Sequence, residues 1–289
     1  MKTALLFSGQ GGQGERAIQT ALRQGLVQGS QLLERALGIS GCAVDRLLND
    51  VGRAVEFSHV LQPVLIALSL MDAIRLREQG FGADFLAGHS LGELAAWAFA
   101  GAMTFEDAVE IAAVRGRAMG RAACVHEGGM LALTDIDEAG LLRMLAIGRA
   151  KGRLDPAAYN APREVVVSGT LPALQAVAPL CQSHRLNVAG PWHSPLMEEA
   201  KPEFAAALEA LPIVQNIRPV VSGLNGACLD DAREMMPHLL PQLIEPIRWT
   251  AVLTTLASLG VDRFVVAGPS RVLRSLVHRN FPWAEVRGT

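Results

Sequence analysis

None of the four cysteines, Cys42, Cys124, Cys181 and Cys228, forms a C-x-x-C pair, and none has a histidine at finger-like spacing. A disulfide framework and a zinc site are therefore not expected, and the four read as small core residues. Apolar runs of bilayer length are missing too. Half of the residues are hydrophobic, yet charges or glycines break every run before the about 20 residues that a membrane helix needs. Met1-Lys2-Thr3-Ala4-Leu5-Leu6-Phe7 passes at once into a Gln/Gly loop, so no secretory signal is apparent and a cytoplasmic location is expected. A large excess of one charge is also absent: the net charge of −2 removes any global electrostatic case for nucleic-acid binding. No repeat or low-complexity tract stands out, and the basic run Arg149-Ala150-Lys151-Gly152-Arg153 reads as a solvated loop.

What the chain does have is Phe85-Leu86-Ala87-Gly88-His89-Ser90-Leu91-Gly92-Glu93, an apolar run that breaks on a glycine-flanked serine and continues in helix-forming residues. The G-x-S-x-G spacing is that of a nucleophile elbow. A serine on a tight strand-to-helix turn brings the backbone on either side so close that a Cβ would clash, and only glycine fits. Ser90 would project above a strand end, with the first amides of the next helix facing any negative charge that develops beside it. Covalent catalysis is the chemistry this suits.

The first apolar run, Thr3 to Phe7, reads as a buried strand feeding Ser8-Gly9-Gln10-Gly11-Gly12-Gln13-Gly14. Gly9, Gly11 and Gly14 spell G-x-G-x-x-G with Glu34 further on, which raises a dinucleotide-binding reading. That reading needs an acidic residue at a strand end, whereas residues 31–37 look helical. A helix is predicted over 62–80, with Pro63 in its first turn and Gly80 as its C-cap, and another opens with the capping box Thr104-Phe105-Glu106-Asp107. Segments 130–133, 138–147, 155–160, 164–168, 171–183 and 185–188 read strand, helix, strand, strand, helix, strand. This βαββαβ order is ferredoxin-like. Beyond it come a helix over 196–211, a strand over 219–222, two more helices, a strand over 263–267 and a last helix over 271–279. The fold expected is α/β: a large α/β-hydrolase-like domain with a mainly parallel sheet (1–127 and 192–289) and an inserted ferredoxin-like subdomain (128–191).

A serine nucleophile needs a base, usually histidine. His89 adjoins Ser90, but the elbow should point the two side chains apart. His59, His126, His184 and His238 carry no signature, and His278 lies on an amphipathic stretch. His193, in the turn Gly190-Pro191-Trp192-His193-Ser194-Pro195 after the inserted subdomain, is the favoured candidate among these.

These stretches, with Val114-Arg115-Gly116-Arg117-Ala118-Met119, Asn160-Ala161-Pro162, Gln242 to Trp249 and Gly268-Pro269, follow the order and spacing of malonyl-CoA:acyl carrier protein transacylases, which the chain resembles over nearly its whole length. The resemblance implies Ser90 as nucleophile, His193 as its base and the main-chain carbonyl of Gln242 as the group orienting the imidazole. It implies an oxyanion hole of the Gln10 and Leu91 amides, Arg115 as the site of the malonate carboxylate, and Asn160 in the substrate channel. The partners implied are malonyl-CoA and an acyl carrier protein, with no metal or redox cofactor. A basic docking surface for that acidic carrier would draw on Lys151, Arg153, Arg271 and Arg274. Gly12 and Glu245 depart from the family, where serine and asparagine are frequent. Gly190-Pro191-Trp192 looks closer to the transacylase subunit of malonate decarboxylase, which would add that enzyme's other subunits as partners. A serine hydrolase of thioesters and a nucleotide-binding module are the competing readings.

Overall fold

Thr3-Ala4-Leu5-Leu6-Phe7 is buried on both faces, as a central parallel strand must be, and forms the middle of the larger of two sheets. The computed structural model of the chain describes residues 2–10, 14–49, 58–212, 214, 217–270 and 272–288. Its strands are β1 (Lys2–Phe7), β2 (Phe85–Gly88), β3 (Gly128–Thr134), β4 (Leu154–Ala161), β5 (Glu164–Thr170), β6 (Ser183–Arg185), β7 (Val220–Val221), β8 (Cys228–Leu229), β9 (Val261–Ala267) and β10 (Glu285–Gly288). The larger sheet runs β10-β9-β1-β2-β7-β8 and is parallel except for β8. The smaller runs β4-β5-β3-β6, antiparallel throughout.

Each sheet has its own apolar cluster. In the smaller one, the two-residue period sends Leu131, Leu133, Val165 and Val167 toward the helices Glu138–Arg149 and Leu171–Val177. Met130, Ala132 and Val166 face the opposite way and join the main core. The two parts are tied where Tyr159 N donates to Ile247 O at 2.8 Å and Ile247 N to Ala157 O at 2.9 Å. Helix Ser58–Glu78 packs along Phe105–Val125 beside the larger sheet. By length and composition alone it could cross a membrane, the one such helix among the described residues, but 72% of its apolar window is buried inside the fold.

Several boundaries differ from the expectations, mostly at prolines. The helix predicted from 62 begins at Ser58, so Pro63 lies inside it; burial of Val60 and Leu61 outweighs the backbone bond that Pro63 cannot make. The helix predicted over 171–183 ends at Val177, where Pro179 opens a 3-10 turn, and the following strand pairs at Ser183–Arg185 rather than 185–188. The helix predicted over 196–211 divides into a 3-10 segment, Pro195–Ala200, and an α-helix, Lys201–Glu209, with Pro202 in its first turn. The short edge strands β8 and β10 were not foreseen. Glu34 lies on helix Gln31–Ser40, which leaves the dinucleotide reading without its acidic strand end. The Thr104 capping box forms with Asp107, and Gly80 sits at φ 84° behind its helix.

At the elbow the fit is close enough to test. A Cβ on Gly92 would lie 2.2 Å from the Phe7 carbonyl oxygen, whereas one on Gly120 would meet nothing within 4 Å. Gly92→Ala is expected to cost ~3 kcal/mol or more, while Gly120→Ala, in a helix interior, should gain up to ~1 kcal/mol. Urea-unfolding midpoints should move in opposite directions for the two variants.

Candidate active site

Ser90 sits at the carboxyl end of β2 with φ 53°, in the left-handed region that a residue bearing a Cβ avoids. The crossing of strand and helix holds it there: a Cβ on Gly88 would lie 2.1 Å from the carbonyl carbon of Gly92. His193 is also left-handed, at φ 57°. Its turn is braced by Trp192 N donating to Gly190 O at 3.0 Å and Ser194 Oγ donating to Pro191 O at 2.7 Å.

These two turns bring Ser90 Oγ to 2.7 Å from His193 Nε2, and His193 Nδ1 to 2.5 Å from the Gln242 carbonyl oxygen. A carbonyl only accepts, so the Nδ1 nitrogen carries the proton and Nε2 is left to accept from the serine hydroxyl. Burial, and then the nearby Arg115 cation, push the His193 pKa down to about 3, partly opposed by the Gln242 bond. The imidazole is therefore neutral at ordinary pH and ready to take a proton.

Arg115 lies mid-helix in Phe105–Val125 and is buried. Its Nη1 donates to Gln62 Oε1 at 3.0 Å and its Nη2 to Ser90 Oγ at 3.3 Å. Burial lowers its pKa to about 10, which still leaves a cation at neutral pH, and no carboxylate among the described residues pairs with it. A buried cation without a counter-ion, aimed at the nucleophile, is a seat for an anion.

The first loop rests directly on the elbow, since a Cβ on Gly9 would lie 2.3 Å from the His89 carbonyl oxygen. Gln10 is thereby fixed beside Ser90, and Gln62 Nε2 donates to its Oε1 at 3.3 Å. Leu91 is the N-cap of helix Gly92–Ala100, so its amide belongs to the positive end of that helix. His89 turns away from Ser90: its ring stands edge-on to Trp249 and shares a 2.9 Å hydrogen bond with Asn160 Oδ1. Asn160 Nδ2 in turn donates to Glu164 Oε1 at 3.4 Å, and Glu164 pairs with Arg279.

Gln10, Gln62, Ser90, Arg115, Asn160 and His193 all line one cavity of about 190 Å³, whose walls also include β3, β5 and helix Val272–Asn280. Leu91 and Gln242 do not line it; Gln242 enters the site through its carbonyl on His193 Nδ1. Of the surface cations considered, Arg153 is paired with Asp155, as is Arg149, while Lys151 is exposed. Gly11, Gly12, Gln13 and Arg271 lie outside the described residues. Sequence reasoning gave no role to Gln62, Glu93, Glu164 or Arg279. Glu93, inside the quoted motif, was the one with a visible signal: an acid three residues past the serine on an apolar helix.

A serine hydroxyl hydrogen-bonded to a neutral imidazole, with a buried cation 3.3 Å away in the same cavity, can carry out acyl transfer. The acyl transferase domain family matches residues 5–222, and the chain belongs to that family. Within it, the malonyl CoA-acyl carrier protein transacylase of Bacillus subtilis (strain 168) is 30% identical over 291 residues, covering 96% of this chain and 90% of that one. The solved malonyl-CoA:acyl carrier protein transacylase of Xanthomonas oryzae pv. oryzae KACC10331 superposes with a TM-score of 0.90 at 27% identity, over 100% of this chain and 95% of that one. A malonyl-transacylase solved in complex with its type II PKS acyl-carrier protein gives a TM-score of 0.88 at 26% identity, over 100% of this chain and 95% of that one.

The lowered His193 pKa makes a prediction about pH. The base works when neutral, so labelling of Ser90 by phenylmethylsulfonyl fluoride should show no inflection near the ordinary histidine value of about 6.5. Its rate should stay flat down to about pH 5. A sigmoidal fall centred near 6.5 would mean that His193 is not held neutral.

Proposed function

We propose that this chain moves a malonyl group from malonyl-CoA to the phosphopantetheine-type thiol of an acyl carrier protein, through an ester on Ser90. The observation that carries this is the position of Ser90 Oγ, between His193 Nε2 at 2.7 Å and Arg115 Nη2 at 3.3 Å. The base and the anion seat are close enough for a three-carbon diacid to engage both.

Ser90 Oγ attacks the thioester carbonyl and its proton passes to His193 Nε2. The oxyanion forms against the Gln10 and Leu91 amides. The C–S bond breaks, and the CoA sulfur leaves with the proton from His193. The carrier thiol then enters, gives its proton to His193 and attacks the ester carbonyl, and Ser90 leaves with that proton. Gln242 O orients the imidazole through both halves. Arg115 grips the malonyl carboxylate, Gln62 holds Arg115, and Asn160 shapes the channel. The chemistry asks for no metal or redox cofactor, and a cytoplasmic setting suits both substrates.

The same reading divides the chain into an α/β-hydrolase-like body (1–127 and 192–289) and a ferredoxin-like insert (128–191). The strand order β4-β5-β3-β6 and the two separate apolar clusters support this division. The Gly190-Pro191-Trp192 lead-in to His193 favours a malonate decarboxylase as the setting. It is a packed unit, with the Trp192 ring 2.7 Å from where a Gly190 Cβ would stand.

Mixing the protein with malonyl-CoA should give one malonyl adduct by intact mass, absent from Ser90→Ala. Arg115→Ala should lower malonyl transfer about 100-fold, the ~3 kcal/mol typical of truncating a buried charged pair, while sparing acetyl-CoA turnover. A serine thioesterase would instead hydrolyse neutral acyl-CoA at rates indifferent to Arg115. Among acceptors offered with malonyl-CoA as donor, the carrier subunit of a malonate decarboxylase should be charged faster than the carrier of fatty-acid synthesis.

A further inference from the structure

Glu93 is fully buried in the first turn of the helix that follows Ser90, and no cation among the described residues pairs with it. Its carboxylate is held by donors alone. Oε1 accepts from Ser222 Oγ at 3.0 Å and from Trp97 Nε1 at 3.3 Å. Oε2 accepts from Gly223 N at 2.7 Å and from Gln242 Nε2 at 2.8 Å. A Cβ at residue 223 would come within 2.9 Å of Oε2, so the glycine is part of the cradle.

A buried carboxylate is costly, and burial pushes the Glu93 pKa up against the pull of these four bonds. Four donors converging on it match the ionised form, which only accepts. The last donor belongs to Gln242, whose main-chain carbonyl receives the His193 Nδ1 proton at 2.5 Å. One residue thus separates a buried anion from the imidazole.

The need for that anion is visible in the site. When His193 takes the serine proton it becomes a second buried cation beside Arg115. Its direct partner is a carbonyl dipole, not a charge. In Ser-His-Asp triads the acid both aims the imidazole and offsets its charge. Here Gln242 supplies the aim, and Glu93, bonded to its side chain, stands where it can add to the offset that the substrate brings.

We propose that Glu93 is a positioning residue for the His193 base: it clamps the Gln242 side chain so that the Gln242 carbonyl stays on Nδ1, and its negative charge stabilises the imidazolium that forms. This rests on the acyl-transfer reading of Ser90 and His193. The alternative is a purely structural tie between the elbow helix and segments 222–223 and 242.

Glu93→Gln keeps the shape and removes the charge, and Ser222→Ala removes one tie to Glu93 without touching Gln242. Stopped-flow acylation by malonyl-CoA should fall about 10- to 100-fold in Glu93→Gln, the range expected when a base is misplaced, with malonyl-CoA affinity within about twofold. Ser222→Ala should lower thermal stability and leave the acylation rate within about twofold of the parent. Equal rates for Glu93→Gln and the parent, or equal losses in both variants, would overturn the proposal.

Gln242→Met, which retains the carbonyl but cuts the tether, should reproduce the rate loss and serves where Glu93→Gln does not fold; an unchanged rate would also overturn it. The proton resonance of His193 Nδ1–H supplies a readout independent of turnover. It should move upfield in Glu93→Gln and stay in place in Ser222→Ala. If the parent chain formed no malonyl ester, the functional reading would fail, while this resonance would still decide the role of Glu93.

Discussion

The backbone of Ser90 is held where an L-residue does not rest by choice, at a strain of ~1–3 kcal/mol, and the surrounding packing has to offset it. Gly88, Gly92 and Gly9 are the means. Each removes a Cβ that would stand within 2.3 Å of a main-chain atom, so the turn, the helix start and the first loop share one volume. The neighbouring parallel strands β1 and β2 fix the height of that volume, because their registers end together at Phe7 and Gly88. From this crossing follow the exposure of the serine hydroxyl, the nearness of Gln10 and the direction of the helix dipole. His193 repeats the device on another loop, so both partners of the Ser90–His193 bond sit on strained turns.

The electrostatics have a similar economy. Arg115 and the imidazole are both buried beside one cavity, and the guanidinium is the second cause of the lowered His193 pKa. That arrangement keeps His193 Nε2 unprotonated in the resting chain, and it makes the protonated intermediate of the proposed reaction harder to form. In the proposed reaction a diacid substrate would change the balance by bringing its own carboxylate to Arg115. A neutral acyl group would not, so recognition of the anion and activation of the base would be coupled through one cation.

Ser90 was readable because its signal is local: two glycines, a serine and a change from strand to helix fall within nine residues. His193 was favoured from its turn beside the inserted segment, whereas Arg115, Asn160 and the backbone contributors came from family resemblance; the structure sets His193 and Arg115 against Ser90. Gln62 was missed because its partners are distant in the chain, and so was the Glu164–Arg279 pair, 115 positions apart. Gln62 meets Arg115 across 53 positions and Gln10 across 52. No periodicity records such pairs. The two-residue strand β8 is too short to show alternation, and the helix ends that shifted did so at Pro179 and Pro202, where local geometry overrode an apolar pattern.

Burying Arg115 and Glu93 in one domain runs against stability, since well-packed apolar residues of similar volume often serve a fold as well or better than buried charges. Neither side chain is needed to complete the apolar core around it, which is built from Ala112, Ala113, Ala118 and Met119 on one helix and Leu94, Ala95 and Ala96 on the other. Small and large side chains share this space: Trp97, fully buried, donates its indole N–H to the Glu93 carboxylate. Both helices are rich in alanine, and helix Phe105–Val125 keeps Glu106, Glu110, Arg117 and Arg121 on its exposed face. The stability lost at each charge is offset along the rest of its helix, where Leu94, Trp97 and Phe99 on one and Val109, Ile111 and Met119 on the other are buried against the core.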